Sequence, residues 1–137
     1  MEVTHRPAAC VVQGAPSYAS AQGSHYAAGV SAESVGASTL FLGLVSLPSG
    51  QRTKAHIHAL HESAHYMLSG EEVELWSGPR LERRELAHPG DYLFVPAGVP
   101  HVAVNRGRNP AVFVAARNEA TAQESVMLLP ELDALVP

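Results

Sequence analysis

The stretch Gly90-Asp91-Tyr92-Leu93-Phe94-Val95-Pro96-Ala97-Gly98-Val99-Pro100-His101-Val102-Ala103-Val104-Asn105 carries the pattern that decides the fold. A turn signal, Pro89-Gly90-Asp91, precedes the apolar segment Tyr92 to Val95, which reads as a buried strand. Pro96 to Pro100 cannot be regular structure, because proline fixes φ and lacks a donor while glycine accepts positive φ. His101 then opens a further strand running to Val104. Working outward, the same texture recurs. Leu40 to Leu47 is an apolar run stopped by Pro48-Ser49-Gly50, and Tyr66 to Leu68 runs into Ser69-Gly70. Glu72 to Trp76 alternates, Arg80 to Leu86 is charged and solvent-facing, and Ala111 to Ala116 closes the series. Many short strands separated by Gly/Pro turns predict an all-β sandwich or barrel.

The chain has 137 residues, 46% of them hydrophobic and 16% charged, which suits one globular domain over residues 1–137. Within it, 1–38 reads as an Ala/Ser/Gly-rich arm with two edge strands, 39–117 as the barrel, and 118–137 as a tail. The tail offers a short strand at Val126 to Leu129 and a helical turn. The net charge is −4 and the basic residues are scattered, so no basic face for nucleic acid is expected. No apolar run is long enough to span a bilayer. Met1 to His5 lacks the basic start and apolar stretch of a signal peptide, and the expected location is cytoplasmic. Cys10 is the single cysteine, which excludes an internal disulfide and a Cys-based zinc site; it reads as a small apolar filler.

Histidine is in excess, with eight in the chain and His56, His58, His61 and His65 close together. His5, His25 and His88 read as incidental. In a strand, residues i and i+2 share a face, so His56 and His58 aim at one point. Glu62 follows after a short break and adds a carboxylate. His101, from the second motif, meets the pair from across a barrel. Three imidazoles and one carboxylate suit a first-row divalent ion and leave positions open for water, substrate or dioxygen. Arg52 and Lys54 fall on the His56 face, where surface solvation is the simpler role. Tyr66, Phe41, Trp76, Tyr92 and Phe94 read as core before pocket. Asn105 reads as a turn-fixing residue, and Glu71, Glu72 and Glu74 as a solvated edge.

The two motifs, Gly50-x5-His56-x-His58-x3-Glu62 through Gly70 and Gly90-x5-Pro96-x-Gly98-x2-His101-x3-Asn105, resemble those of the cupin superfamily, small double-stranded β-helix or jelly-roll barrels of the RmlC-like kind. The resemblance covers roughly Leu40 to Arg117. It implies His56, His58, Glu62 and His101 as ligands of one divalent ion (Fe, Mn, Ni or Zn) and a homodimer paired through barrel edges. One departure stands out: Ser63 to Ser69 puts one residue more than the family usual before the closing glycine. A bulge near Ser63-Ala64 would still turn Glu62 inward. In a regular strand, Ser63 and His65 would face inward, and His65 would complete an all-histidine site or act as acid/base beside the metal.

His61-Glu62-Ser63-Ala64-His65 also reads H-E-x-x-H, the zinc-hydrolase signature, if helical. That alternative leaves the second motif unexplained. The expected function is a metal-dependent enzyme acting on a small organic molecule, of dioxygenase, isomerase or cyclase type, with His65 or His61 as the acid/base candidate. A non-catalytic barrel holding a sugar or metabolite is the alternative, and a closed structural metal site ranks below both.

Overall fold

A computed structural model describes residues 8–137; Met1 to His5, read as lacking the features of a signal peptide, lies outside the described residues. The strands are β1 (Tyr18–Ala19), β2 (His25–Val30), β3 (Phe41–Leu47), β4 (His56–Ile57), β5 (Ser63–Ser69) and β6 (Val73–Ser77). They continue with β7 (Arg83–Ala87), β8 (Tyr92–Val95), β9 (His101–Asn105), β10 (Ala111–Arg117) and β11 (Met127–Leu128). One sheet has the order β1-β2-β3-β10-β5-β8, the other β11-β4-β9-β6-β7. Every neighbouring pair is antiparallel. The sheets face each other as a double-stranded β-helix, the fold class expected from the turn-punctuated strands. The Tyr92–Val95 strand is placed differently from its reading as buried: β8 is a sheet edge, and Tyr92 and Phe94 are 81% and 60% exposed.

Alternation sorts the side chains. Phe41, Val45, Met67, Val73 and Phe113 fill the space between the sheets. Val102 and Val104 of β9 point the other way and pack with Ala55, Leu81, Leu132 and Val136 in a second cluster. Leu132 lies in a 3-10 helix, Pro130–Leu135, so the tail covers the outer face of the five-stranded sheet. Arg52 serves this cover, donating to the carbonyls of Val136 at 2.9 Å and Asp133 at 3.2 Å. Glu74, read as part of a solvated edge, is buried under the same cover. It accepts from Trp76 Nε1 at 3.0 Å, Arg84 at 3.1 Å and Arg106 Nε at 3.0 Å, and Arg106 also donates to the carbonyl of Pro137. Cys10 is exposed rather than a core filler.

The outer face of the six-stranded sheet has no such cover from the described residues. Leu44, Val114, Tyr66 and Tyr92 form one row across β3, β10, β5 and β8, and Leu42, Ala116, Ala64 and Phe94 form the next. None of these residues is charged. No helix is long and apolar enough to cross a membrane.

Asn105 ties the strand ends beside the second motif. Its amide donates to the carbonyls of Leu47 at 2.9 Å and Asn109 at 2.9 Å, and its Oδ1 accepts from Gly107 N at 3.0 Å, all with no solvent exposure. Asn105→Ala leaves these groups buried and unpaired, and is expected to cost about 2–3 kcal/mol in denaturant unfolding. Burial alone would raise the Glu74 pKa, but the hydrogen bonds from Arg106, Trp76 and Arg84 outweigh it and push it down to about 2. A depressed carboxyl pKa stabilises the fold above the ordinary range and loses that contribution as pH falls. Glu74→Gln is therefore expected to cost about 1–2 kcal/mol at neutral pH, discounted because its arginines are half exposed. The gap from wild type should close between pH 4.5 and about 2.

Candidate metal centre

The two His-bearing motifs meet through strand pairing. His56 of β4 lies opposite His101 of β9 in register, and His58 follows just beyond the strand. The imidazoles of His56, His58 and His101 are all buried, and each offers a nitrogen within 4.8 Å of the others. Ring centroids of His56 and His101 are 4.1 Å apart, and that of His58 is 4.9 and 5.0 Å from them. Nδ1 of His56 lies 2.6 Å from the Lys54 carbonyl, and Nδ1 of His101 lies 3.0 Å from the Val99 carbonyl. A carbonyl only accepts, so both rings carry the proton on Nδ1 and keep the Nε2 lone pair free.

Electrostatics favour the same state. Burial is the main cause that lowers the pKa of His56 to about 4, with the neighbouring His58 adding to it. Burial likewise takes His58 to about 4 and His101 to about 3. At neutral pH these are uncharged imidazoles with lone pairs to give, the form that ligates a metal. The donor set thus fits a divalent transition ion: three neutral nitrogens at one point, in a cavity with room left for a further ligand.

Glu62 is not among them. Its side chain is exposed, and its backbone N–H donates to Asn118 Oδ1 at 3.0 Å. The reason is the strand period. The extra residue of β5 sits at Leu68, where Val112 pairs with Ser69 and Phe113 with Met67, and not at Ser63-Ala64. Ser63 to Met67 therefore runs as a regular strand, with Ser63 and Met67 buried and Ala64 exposed. His65 falls on the inner face, edge-on to Phe113 at 6.2 Å between centroids. Its Nδ1 is buried without a hydrogen-bond partner, and burial lowers its pKa to about 4. The strand also removes the H-E-x-x-H reading, because His61 and His65 cannot share a helical face there.

The histidines line a cavity of about 570 Å³, counting its opening. His56, His58, His65 and His101 share its walls with apolar side chains, among them Tyr26, Leu75, Val95 and Phe113. Of the aromatics singled out in the sequence, Phe41 is core, while Tyr66, Tyr92 and Phe94 lie on the outer sheet face. Trp76 packs against the tail-covered cluster. Tyr26 and Phe113 line the cavity instead. The strand of Phe113 is visible in sequence, whereas Tyr26 falls in the stretch read as an arm, and nothing local marks either as lining.

His61 is buried but turned toward the tail. Its Nδ1 lies 2.5 Å from Glu119 Oε2, and its Nε2 3.1 Å from Glu124 Oε2. Glu124 also reaches His58, so His58, His61 and Glu124 form a second convergent group. Burial raises the Glu124 pKa, but the His61 hydrogen bond, with His58 and the Arg117 guanidinium close by, outweighs it and holds the carboxyl well below its usual range. No sequence motif announced Glu124; it stands in the tail beyond both motifs.

Comparison with known proteins adds four observations. The tetracenomycin polyketide synthase protein TcmJ of Streptomyces glaucescens is 36% identical over 92 residues, 66% of this chain and 58% of that protein, so the chain spans little more than half of its relative. The polyketide cyclase RemF of Streptomyces resistomycificus superposes with a TM-score of 0.67 at 22% identity, over 94% of this chain and 85% of RemF. An oxalate oxidase superposes with a TM-score of 0.66 at 18% identity, over 81% of this chain and 57% of the oxidase. At those identities the two structures speak for the fold alone. The cupin domain family matches residues 43–117, from within β3 to the end of β10 and across both histidine motifs, and the chain belongs to that family.

Proposed function

We propose that the protein is a metal-dependent enzyme of cyclase type, acting on a small, largely uncharged organic molecule with several carbonyl groups. The observation that carries this reading is the shared cavity: three neutral imidazoles at one point, His65 on the wall, and apolar side chains around them. His56, His58 and His101 would hold the ion. When bound, it supplies Lewis-acid polarisation of a carbonyl oxygen. The apolar lining suits an uncharged carbon chain and excludes water from it. None of the cavity-lining residues is an arginine or lysine that would pair with a small dianion such as oxalate. His65, neutral and with an unpartnered Nδ1, is placed to take a proton from a methylene flanked by two carbonyls. The resulting carbanion attacks a second carbonyl of the same molecule, and that oxygen receives the proton. Atoms balance in this step without an oxidant. The likeness to TcmJ, named as a polyketide synthase protein, supports the same choice. The alternative is a binding barrel in which the cavity holds such a molecule without turning it over.

The test is reconstitution of untagged protein with Fe(II), Mn(II), Ni(II) or Zn(II), followed by incubation with a linear poly-β-ketone thioester. About one equivalent of ion is expected in the wild type and in Glu62→Ala, with loss in His56→Ala and His101→Ala. His65→Ala is expected to keep the ion and lose about 100-fold or more in ring closure. Ion loss in His65→Ala would make His65 a fourth ligand instead of the base. Saturable binding of the polyketone without turnover would establish the binding barrel.

We also propose that the uncharged outer face of the six-stranded sheet pairs with a second copy of the chain. Its rows of Leu, Val, Tyr and Phe exceed the scattered apolar residues of an ordinary monomer surface, and no charge opposes a symmetric contact. Light scattering at micromolar concentration is expected to give the dimer mass, and Leu44→Glu with Tyr66→Glu to give the monomer. A monomeric wild type overturns the pairing.

A further inference from the structure

Glu124 lies between β10 and β11, outside both histidine motifs, and its side chain is only 6% exposed. Four side chains converge on it. Gln22 Nε2 donates at 2.7 Å and His61 Nε2 lies 3.1 Å from Oε2, while His58 Nδ1 is 3.3 Å and Arg117 Nε 3.8 Å from the same oxygen. The end of β10 fixes the segment that carries it, because Arg117 also donates to the carbonyls of Thr121 and Ala122. Glu33 accepts from Ala122 N at 2.9 Å, and the Tyr18 hydroxyl donates to the Ala122 carbonyl. A buried carboxylate with this many partners is held in one place.

The geometry points to Glu124 as the positioning carboxylate of the metal centre, acting through Nδ1 of His58. The inference rests on the metal-site reading above and adds to it the group that orients the third ligand. The argument is a comparison of the three rings. His56 and His101 each present Nδ1 to a backbone carbonyl, which fixes the ring and frees Nε2. Nδ1 of His58 is buried and makes no hydrogen bond in the structure, to backbone or side chain; Glu124 Oε2 lies 3.3 Å from it. A carboxylate in that role fixes the tautomer as the carbonyls do, and it makes the imidazole a stronger donor. The site therefore draws its carboxylate from the tail and uses it behind a histidine. Glu62, the acid that the motif spacing offers, faces solvent and takes no part.

The experiment is a chelator-competition titration with Zn(II) and with Co(II), the latter read by its visible spectrum, on wild type, Glu124→Gln, Glu124→Ala, Glu62→Gln and His56→Ala. Affinity is expected to fall about 10- to 100-fold in Glu124→Ala, less in Glu124→Gln, whose amide oxygen still accepts, and not at all in Glu62→Gln. The Co(II) spectrum should shift in both Glu124 variants. Nitrogen-15 spectra of the metal-free imidazoles should show His58 protonated on Nδ1 in wild type and on a mixture of nitrogens in Glu124→Ala. Should Glu124→Ala unfold the tail, the isosteric Glu124→Gln decides the matter. Wild-type affinity and an unchanged Co(II) spectrum in Glu124→Gln and Glu124→Ala, with binding still abolished in His56→Ala, overturn the role of Glu124 and leave the histidine site standing. Failure of the wild type to bind either ion overturns the site reading itself, and this inference with it.

Discussion

The antiparallel pairing of His56 with His101 is the contact on which the site depends. It joins segments far apart in sequence and sets two imidazoles side by side within the barrel. Burial then fixes their protonation: a desolvated imidazolium is costly, so each ring stays neutral and offers a lone pair. The carbonyls of Lys54 and Val99 complete the arrangement by accepting hydrogen bonds from the two Nδ1–H groups. Pro96, Gly98 and Pro100 serve the same end, because their turn delivers His101 at the first position of β9. The Gly98 φ of 75° is in the left-handed region, where a β-carbon would be strained. Its N–H donates to the His58 carbonyl at 2.8 Å, so the turn of one motif also braces the histidine of the other.

Strand period explains which site residues could be read from sequence. His56 and His58 are two apart, and a two-residue spacing near a strand needs no further information to share a face. His101 needed only the turn before it. Glu62 was ambiguous, because the extra residue before Gly70 could be absorbed at more than one place. The choice was made by β10: Phe113 keeps its partner Met67, and the surplus residue falls at Leu68. A cross-strand packing preference, invisible in the local sequence, thus turned Glu62 out and His65 in. The jelly-roll itself was legible because its turns are spelled in Gly and Pro. The order in which strands neighbour one another was not, since it depends on pairings between distant segments.

The tail was the least legible part, and it does the most outside the motifs. Leu132 and Val136 seal the outer face of the five-stranded sheet. That cover is why Glu74, an alternating residue that looks solvent-facing, is buried and must be satisfied by Trp76, Arg84 and Arg106. Nothing in the residues around Glu74 announces a lid supplied from the far end of the chain. The same holds for Glu124, whose partners Gln22, His58, His61 and Arg117 come from three separate segments.

The two sheets therefore end in different circumstances. One outer face is sealed by the chain's own tail, and its polar residues are paired. The other presents rows of uncharged side chains across four strands. The cavity lies between them, so its walls have different backing. The wall of β4 and β9, which carries His56 and His101, is braced by the tail-covered cluster. The wall that carries His65 and Phe113 is backed by the exposed apolar face. A substitution on that face at Tyr66, next to His65, would act on the cavity wall through a single strand. A substitution at Val102 would act on His101 through a packed second layer. The difference in backing between the wall of His56 and His101 and the wall of His65 is a consequence of which sheet the tail covers.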